Sequence, residues 1–220
     1  MPLLIKVGSR GSALARSQVE EVFQEIVRIH PDVLFDPLWI TTAGDKDLQT
    51  SLKLLDKTDF FTKEIDALLL SHRCRIAIHS AKDLPEPLPE GLFLGALTKG
   101  VDPSDVLVFR DNETLDTLPL GARIGTSSIR REEMITLLRS DLVCVDIRGP
   151  VEERLALLDK SVFDGVIMAE AALVRLGLQG RNRLVLPGPT AQLQGQLAVI
   201  MRKEDDEMRV LFMVIDSRLL

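Results

Sequence analysis

The sequence has few cysteines, no excess of basic charge and no long apolar run, and each absence excludes a class of protein. Cys74 and Cys144 lie far apart without metal-ligand spacing, so we expect neither a disulfide framework nor a metal site. No apolar run approaches the roughly 20 residues of a membrane span, and the apolar N-terminal stretch is shorter than a signal-peptide core. A net charge of −6 and a pI near 5.2 argue against binding to a nucleic-acid backbone. We therefore expect a cytoplasmic protein without nucleic-acid or membrane partners.

Aromatic residues are also scarce, at 4% of the chain with no tyrosine, but the rest of the composition is that of an ordinary globular protein. Hydrophobic residues make up 45% and charged residues 27%. A chain of 220 residues is long enough for one large domain or two small ones. We prefer two lobes.

Alternating strand and helix patterns predict an α/β fold with mixed sheets and helices on both faces. Apolar runs at residues 3–7, 38–42 and 76–78 are each followed by a polar turn, and helical spacing follows two of them. In such folds, ligand sites lie at the carboxyl ends of the strands. We interpret the glycine- and proline-containing segments 98–103 and 185–189 as crossings between lobes. The predicted lobes are therefore 1–98 with 190–220, and 99–189.

The stretch from Arg75 to Pro85 runs from a buried strand directly into ionisable side chains, Ser80-Ala81-Lys82-Asp83. This Ser-x-x-Asp pattern is typical of a capping box, in which Ser80 accepts a backbone N–H and Asp83 bonds back. The same residues at the end of a strand also suit a reaction site. The motif by itself favours the cap, and the choice depends on the rest of the chain.

Two predicted strand-to-helix turns combine hydroxyl groups with arginine. The first is residues 8–12 with Arg10, and the second is residues 126–131 with Arg130 and Arg131. A helix N-terminus suits an anion, although each turn is also explained by a capping serine and solvated arginines. Paired arginines in a first helical turn oppose the helix dipole, and a bound anion would resolve that conflict.

Together these turns predict a cationic cleft between the two lobes of an acidic protein. Its expected ligand is a small molecule with several carboxylates, because arginine forks match carboxylates bidentately. Asp83 would be a lone carboxylate among cations, which suits a general acid or base. The cations are Arg10, Lys82, Arg130, Arg131 and Arg148, with Arg154 and Arg175 as further candidates, and the acids are Asp45 and Asp83.

Eight short motifs, in order along nearly the whole chain, resemble the porphobilinogen deaminase family. They are GSRGSALARSQ at 8–18, TAGD at 42–45, FTKE at 61–64, HSAKDLP at 79–85, GTSSIRR at 125–131, RG at 148–149 with RL at 154–155, RLGL at 175–178 and QG at 194–195. The resemblance implies a transferase of haem and tetrapyrrole biosynthesis that joins four porphobilinogen units with loss of ammonia, giving hydroxymethylbilane. It also implies two lobes that resemble a type II periplasmic-binding-protein clamp. We also expect a monomer.

The resemblance implies roles for single residues as well. Asp83 would hold pyrrole N–H groups and assist proton transfer as ammonia leaves and an azafulvene electrophile forms. The matching arginines would pair with acetate and propionate side chains. The implied binding set is Arg10, Ser12, Gln18, Asp45, Lys63, Ser80, Lys82, Thr126, Ser127, Ser128, Arg130, Arg131, Arg148, Gly149, Arg154, Arg175 and Gln194.

The sequence departs from the family where the cofactor is attached. In the family, a third domain carries a cysteine that forms a thioether to a dipyrromethane primer, whereas this sequence ends at Leu220 and has no matching cysteine. We therefore expect dipyrromethane as the cofactor, without support for covalent attachment and without the third domain. The alternative function is a non-catalytic clamp that binds a polycarboxylate or a tetrapyrrole. Retention of Asp83 favours the enzyme, because a simple anion binder has little need for a carboxylate.

Overall fold

The computed structural model describes residues 2–55 and 58–219, without the side chain of Leu54. The chain divides into two compact units. The first comprises Met1–Lys46, Lys57–Val101 and Gly195–Leu220, and the second comprises Asp47–Asp56 and Asp102–Gln194.

The first unit contains a five-stranded sheet with the order β2-β1-β3-β10-β4. Strand β1 is parallel to β2 and β3, whereas β10 is antiparallel to β3 and β4. The strands are β1 (Leu3–Arg10), β2 (Val33–Ile40), β3 (Ile76–Ser80), β4 (Leu92–Leu97) and β10 (Leu197–Arg202), and the helices are α1 (Ala13–Val27), α2 (Ala43–Lys46), α3 (Lys63–Leu70) and α7 (Asp206–Phe212).

Helices cover both faces of this sheet. Buried Val22 and Ile26 of α1 contact the side of the sheet that carries Ile5. On the other side, α3 approaches closely at Gly8, where a Cβ atom would lie 3.1 Å from Ile65 Cγ2 and 3.1 Å from Cys74 Sγ. The first-lobe core is therefore a sheet between helices, as apolar strands with amphipathic helices predict.

The second unit repeats this arrangement with the order β7-β6-β8-β5-β9. Strand β6 is parallel to β7 and β8, and β5 is antiparallel to β8 and β9. The strands are β5 (Asp105–Val108), β6 (Arg123–Gly125), β7 (Val143–Val145), β8 (Gly165–Ala169) and β9 (Arg183–Val185), and the helices are α4 (Ile129–Leu138), α5 (Val151–Asp159) and α6 (Glu170–Arg175). Ile135 of α4 packs on one face, and Leu158 of α5 and Leu173 of α6 pack on the other. The predicted α/β fold with helices on both faces is confirmed.

The boundary between the units after Val101 lies within the predicted crossing 98–103, whereas the boundary after Gln194 lies beyond the predicted crossing 185–189. Val101 N donates to Gly195 O at 3.2 Å within the first unit, while Gln194 Nε2 donates to Pro103 O at 2.7 Å within the second. The segment Asp47–Asp56 belongs to the second unit, although residues on both sides of it belong to the first. Side chains of the second unit hold it: the Arg148 guanidinium donates to the carbonyls of Asp47 and Thr50.

Two predicted turns have regular structure instead. Residues 8–10 continue strand β1, because their partners in β2 extend to Ile40. The polar segment after β2 forms the short helix α2, in which the N–H groups of Asp45 and Lys46 donate to Thr42 O. Both differences arise from long-range or capping contacts that a local pattern does not reveal.

Candidate functional site

Arg10, the last residue of β1, is held in place by groups of the first unit. Its Nε donates to Asp45 Oδ1 at 3.0 Å, and its Nη2 forms a salt bridge to the same oxygen. The guanidinium also lies 4.5 Å from the centre of the Phe61 ring, within cation–π range.

Both oxygens of the Asp45 carboxylate accept hydrogen bonds from other groups of the protein. Its second oxygen accepts hydrogen bonds from Thr42 N at 3.0 Å and Thr42 Oγ1 at 2.9 Å. Burial alone would raise the pKa of Asp45, but the hydrogen bonds from Arg10 and Thr42 lower it below its usual value. The geometry gives Asp45 the position of a group that orients Arg10, whereas the sequence predicts it as a ligand-binding residue.

The end of β3 does not form the capping box that its sequence suggests. Residues Ala81–Asp83 make a single 3-10 turn, and Ser80 makes no side-chain bond to its backbone. The Ser80 hydroxyl instead accepts a hydrogen bond from Gln18 Nε2 at 2.8 Å, from helix α1. This turn leaves the Asp83 side chain exposed and Lys82 half-buried.

Five of the predicted residues of the first unit line one small pocket of about 70 Å³. The pocket lies where β1 and β3 end and α1 begins, which is the edge predicted from the alternating pattern. Ser12 caps α1 there, accepting a hydrogen bond from Ala15 N at 3.2 Å. Lys63, the first residue of α3, is exposed. The five predicted lining residues are Arg10, Ser12, Gln18, Ser80 and Asp83, and other lining residues are Ser9, Leu14, Ala15, Phe61, Thr62, Ile78 and His79.

His79 is a lining residue that the sequence analysis does not include. It is buried, and burial followed by the charge of Arg10 lowers its pKa to about 4, so the imidazole is neutral at pH 7. The motif contains this histidine, but only the structure shows its burial.

The paired arginines of the second unit meet a buried acid. Arg131 donates to Asp105 Oδ1 from Nε at 3.0 Å and Nη2 at 2.6 Å, and Arg130 Nη1 lies 2.6 Å from Asp105 Oδ2. Gln194 Nε2 also donates to Oδ1, at 2.9 Å. Burial would raise the pKa of Asp105, but Arg131, Arg130 and Gln194 lower it below its usual value. Asp105 offsets only part of the conflict between these arginines and the helix dipole, because one carboxylate faces two guanidinium groups.

The hydroxyl groups before α4 have three different surroundings. Thr126 is fully buried and its Oγ1 has no hydrogen-bond partner among the described residues. Ser127 Oγ donates to Asp146 and to the Ile147 carbonyl group, and it accepts from Ile147 N at 3.1 Å. Ser128 is the N-cap residue of α4 but makes no side-chain cap bond.

The remaining predicted residues lie at the start of α5 and the end of α6. Arg148 Nη2 donates to Asp47 O at 2.8 Å, and Arg154 Nε donates to Gly149 O at 2.7 Å. Gly149 has a φ of +103°, and a Cβ atom would lie 2.8 Å from Glu153 Oε2, so glycine is required here. Arg175 is the last residue of α6 and is half-buried.

Neither cysteine has the surroundings of a reactive thiol. Burial raises the pKa of Cys74 to about 11, and it also raises the pKa of Cys144. Among the described residues, no cluster of three or more histidine, cysteine or acidic side chains suits a metal ion. Within residues 2–55 and 58–219, none of the helices has the length and apolar character needed to cross a membrane.

Comparison with known proteins identifies the family of this chain. The family model of the porphobilinogen deaminase dipyromethane cofactor binding domain matches residues 5–210. The chain belongs to the porphobilinogen deaminase family. It is 40% identical over 215 residues to a porphobilinogen deaminase of Alkaliphilus metalliredigens, covering 96% of this chain and 68% of that protein. It is 39% identical over 209 residues to a probable porphobilinogen deaminase of Chlamydia trachomatis, covering 95% and 86%.

Solved structures with low sequence identity share the fold of this family member. The regulatory domain of OxyR2 from Vibrio vulnificus has a TM-score of 0.56 at 14% identity, covering 100% of this chain and 97% of that one. The VFT2 domain of BvgS from Bordetella pertussis has a TM-score of 0.54 at 14% identity, covering 96% and 86%. These matches confirm the predicted two-lobed fold of the periplasmic-binding-protein type.

The residues of the second unit fit the dipyrromethane cofactor that the family model names. Arg130 and Arg131 share the single carboxylate of Asp105, so the cluster retains positive charge suited to a carboxylate-bearing pyrrole. The raised pKa values of the two thiols give no support for attachment through Cys74 or Cys144.

Proposed function

We propose that this chain acts as a hydroxymethylbilane synthase, joining four porphobilinogen units with release of ammonia. The observation that supports this function best is that Asp83 and Arg10 line the same pocket of the first unit. Asp45 already pairs with Arg10 through two contacts to its Oδ1 atom, so the Asp83 carboxylate is surplus acid in this pocket. A surplus acid suits a substrate that carries N–H groups and a cationic amine.

Porphobilinogen has both groups, a pyrrole N–H and an aminomethyl side chain. In the proposed step, an Asp83 oxygen accepts a hydrogen bond from the pyrrole N–H and takes its proton as the carbon–nitrogen bond breaks. The electron pair of that bond leaves with ammonia, and the pyrrole nitrogen supplies electrons to the methylene carbon. Proton transfer by a positioned carboxylate typically accelerates such a step by roughly 10²- to 10⁴-fold.

A buried histidine in the same pocket adds no positive charge to it. His79 lines the same pocket, and its pKa of about 4 keeps it uncharged at neutral pH. The Gln18–Ser80 hydrogen bond of 2.8 Å connects α1 to the end of β3 and fixes the start of the turn that carries Asp83. We propose that these residues position the carboxylate and that Ser12 binds the ligand at the start of α1.

The acetate and propionate groups of the substrate require cations. The Arg148 guanidinium donates to carbonyl oxygens of Asp47 and Thr50, and a guanidinium also suits a ligand carboxylate, which is a stronger acceptor than a carbonyl oxygen. Arg130 and Arg131 share one acid and are suited to a second. We propose carboxylate binding for the cationic residues Arg10, Lys63, Lys82, Arg130, Arg131, Arg148, Arg154 and Arg175.

The dipyrromethane cofactor supplies the primer to which pyrrole units are added. Arg130 and Arg131 would hold its carboxylates. Thr126 offers a hydroxyl that has no hydrogen-bond partner within the described part of the chain, and Ser128 offers an N-cap hydroxyl that makes no cap bond. Ser127, Gly149, Asp45 and Gln194 would support the binding residues through the contacts described above. Covalent attachment is not part of this proposal.

The test is incubation of the purified protein with porphobilinogen, with and without preformed hydroxymethylbilane as a source of primer. We expect ammonia release and, after acid oxidation, uroporphyrin. Calorimetry with porphobilinogen in parallel separates binding from turnover. Binding without ammonia or porphyrin under either condition would contradict the enzyme and would favour the non-catalytic clamp.

A further inference from the structure

Asp105 lies at the centre of a cluster of polar side chains. Neither the sequence motifs nor the family comparison assigns a role to this residue. Its side chain is fully buried at the first position of β5. Oxygen Oδ1 accepts from Arg131 and Gln194, and Oδ2 lies 2.6 Å from Arg130 Nη1. One carboxylate therefore contacts three side chains that come from two distant parts of the chain.

The charges in this cluster do not balance. Two guanidinium groups are in direct contact with one carboxylate, and Gln194 is neutral. Of the next two acids on α4, Glu132 forms a salt bridge with Lys53, while Glu133 is exposed to solvent. The cluster also lies in the first turn of α4, where the helix dipole adds further positive potential.

The uncompensated charge is held rigidly. The Arg131 side chain is 11% exposed and that of Arg130 is 26% exposed, and Arg130 Nη1 also donates to Pro189 O at 2.7 Å. A second anion that reaches these guanidinium groups would meet donors that are already oriented, which lowers the entropy cost of binding.

We propose that Asp105 is a positioning residue that orients Arg130 and Arg131 so that a ligand carboxylate becomes the second anion of the cluster. The inference rests on the proposed function only for the identity of that ligand. Asp105 itself contacts the arginines, and it acts on the ligand through them. Its removal should therefore weaken binding through Arg130 rather than abolish the chemistry.

The test compares Asp105→Asn with Glu170→Gln. Glu170 is a matched control in the same unit, because it is 6% exposed and accepts from Arg183 at 2.7 and 2.6 Å. Binding of porphobilinogen and of citrate, a polycarboxylate without a pyrrole, is measured by titration calorimetry. We expect Asp105→Asn to weaken binding of both by roughly 10- to 100-fold, the range for a lost charge-assisted contact, and Glu170→Gln to change it less than about threefold.

A double-mutant cycle distinguishes positioning from general damage. If Asp105 acts through Arg130, Asp105→Asn together with Arg130→Gln should weaken binding no more than the stronger single variant. Should Asp105→Asn fail to fold, Asp105→Glu takes its place, since it keeps the charge but moves the carboxylate, and the same weakening is expected.

Several results would overturn the inference: equal weakening in Asp105→Asn and Glu170→Gln, additive effects in the cycle, or unchanged binding in both Asp105 variants. Failure of the wild-type protein to bind either probe would overturn it as well. Failure of the proposed function appears differently, as binding by the wild-type protein without ammonia release.

Discussion

The two units place arginines after parallel strands in similar ways, yet they balance the charge of those arginines differently. In the first unit, Arg10 has its own acid, Asp45, in a one-to-one pair. In the second unit, Arg130 and Arg131 share Asp105. The first pocket is therefore left with a surplus acid, Asp83, and the second cluster is left with a surplus cation. Similar turns thus suit proton transfer in one unit and carboxylate binding in the other.

The two units also contain buried acids whose pKa values are shifted in opposite directions. Asp66 of the first unit is 5% exposed, and one of its oxygens has no hydrogen-bond partner among the described residues. Burial raises its pKa to about 6. Asp105 is fully buried, but its arginines lower its pKa. Whether a buried carboxylate is charged depends on the cations in contact with it rather than on burial alone.

The largest expected effect concerns the surplus acid. Asp83→Asn keeps the shape of the side chain but removes the base, so we expect kcat for ammonia release to fall by roughly 10²- to 10⁴-fold. The affinity for porphobilinogen, measured by calorimetry, should change far less. The control is Asp32→Asn, another exposed acid of the first unit, which should keep wild-type kcat. Normal turnover by Asp83→Asn would remove the functional difference between the units.

The second-largest expected effect is on stability and concerns the buried acids Asp66 and Asp105. Because the folded-state pKa of Asp66 is raised from 3.8 to about 6, the folded protein binds this proton more tightly than the unfolded chain does. This contribution to stability is present at low pH and is lost as the pH rises from about 4 to 6. Asp66→Asn removes the cost of burying the charge, and we expect it to raise the free energy of unfolding at pH 7 by about 2–3 kcal/mol.

Urea unfolding at several pH values measures this effect. The contribution of Asp105 to stability depends on pH in the opposite direction, because its pKa is lowered. This stabilisation is present above the ordinary pKa of 3.8 and is lost as the pH falls. The contrast would fail if Asp66→Asn destabilised the protein at pH 7 and left its stability profile between pH 4 and 6 unchanged.

Local patterns were sufficient to predict the alternating strands and helices and the edges where the turns lie. Apolar runs with period-2 or helical spacing depend on neighbouring residues, and so does the Ser80-to-Asp83 motif that ends β3. The predicted position of Asp83 at the exit of a buried strand therefore required no tertiary information.

The partners of the arginines could not be predicted in this way. Asp105 lies 26 residues from Arg131, and nothing in its own stretch distinguishes it from an ordinary first residue of a strand. The assignment of Asp47–Asp56 to the second unit depends on Arg148, about 100 residues away. Such contacts are set when the sheets assemble, so a linear pattern identifies a cation but not the acid that restrains it.

The smallest expected effect compares the two N-cap serines. Ser12 accepts a hydrogen bond from Ala15 N at 3.2 Å, whereas Ser128 makes no side-chain cap bond. We expect Ser12→Ala to lower the free energy of unfolding by about 1 kcal/mol, the usual cost of a lost cap, and Ser128→Ala to lower it by less than about 0.5 kcal/mol. Thermal unfolding of both variants measures the difference.

If Ser128 binds the ligand, its alanine variant should weaken porphobilinogen binding at nearly unchanged stability. Equal losses of stability in the two variants would contradict this distinction between a serine that caps its helix and one that does not.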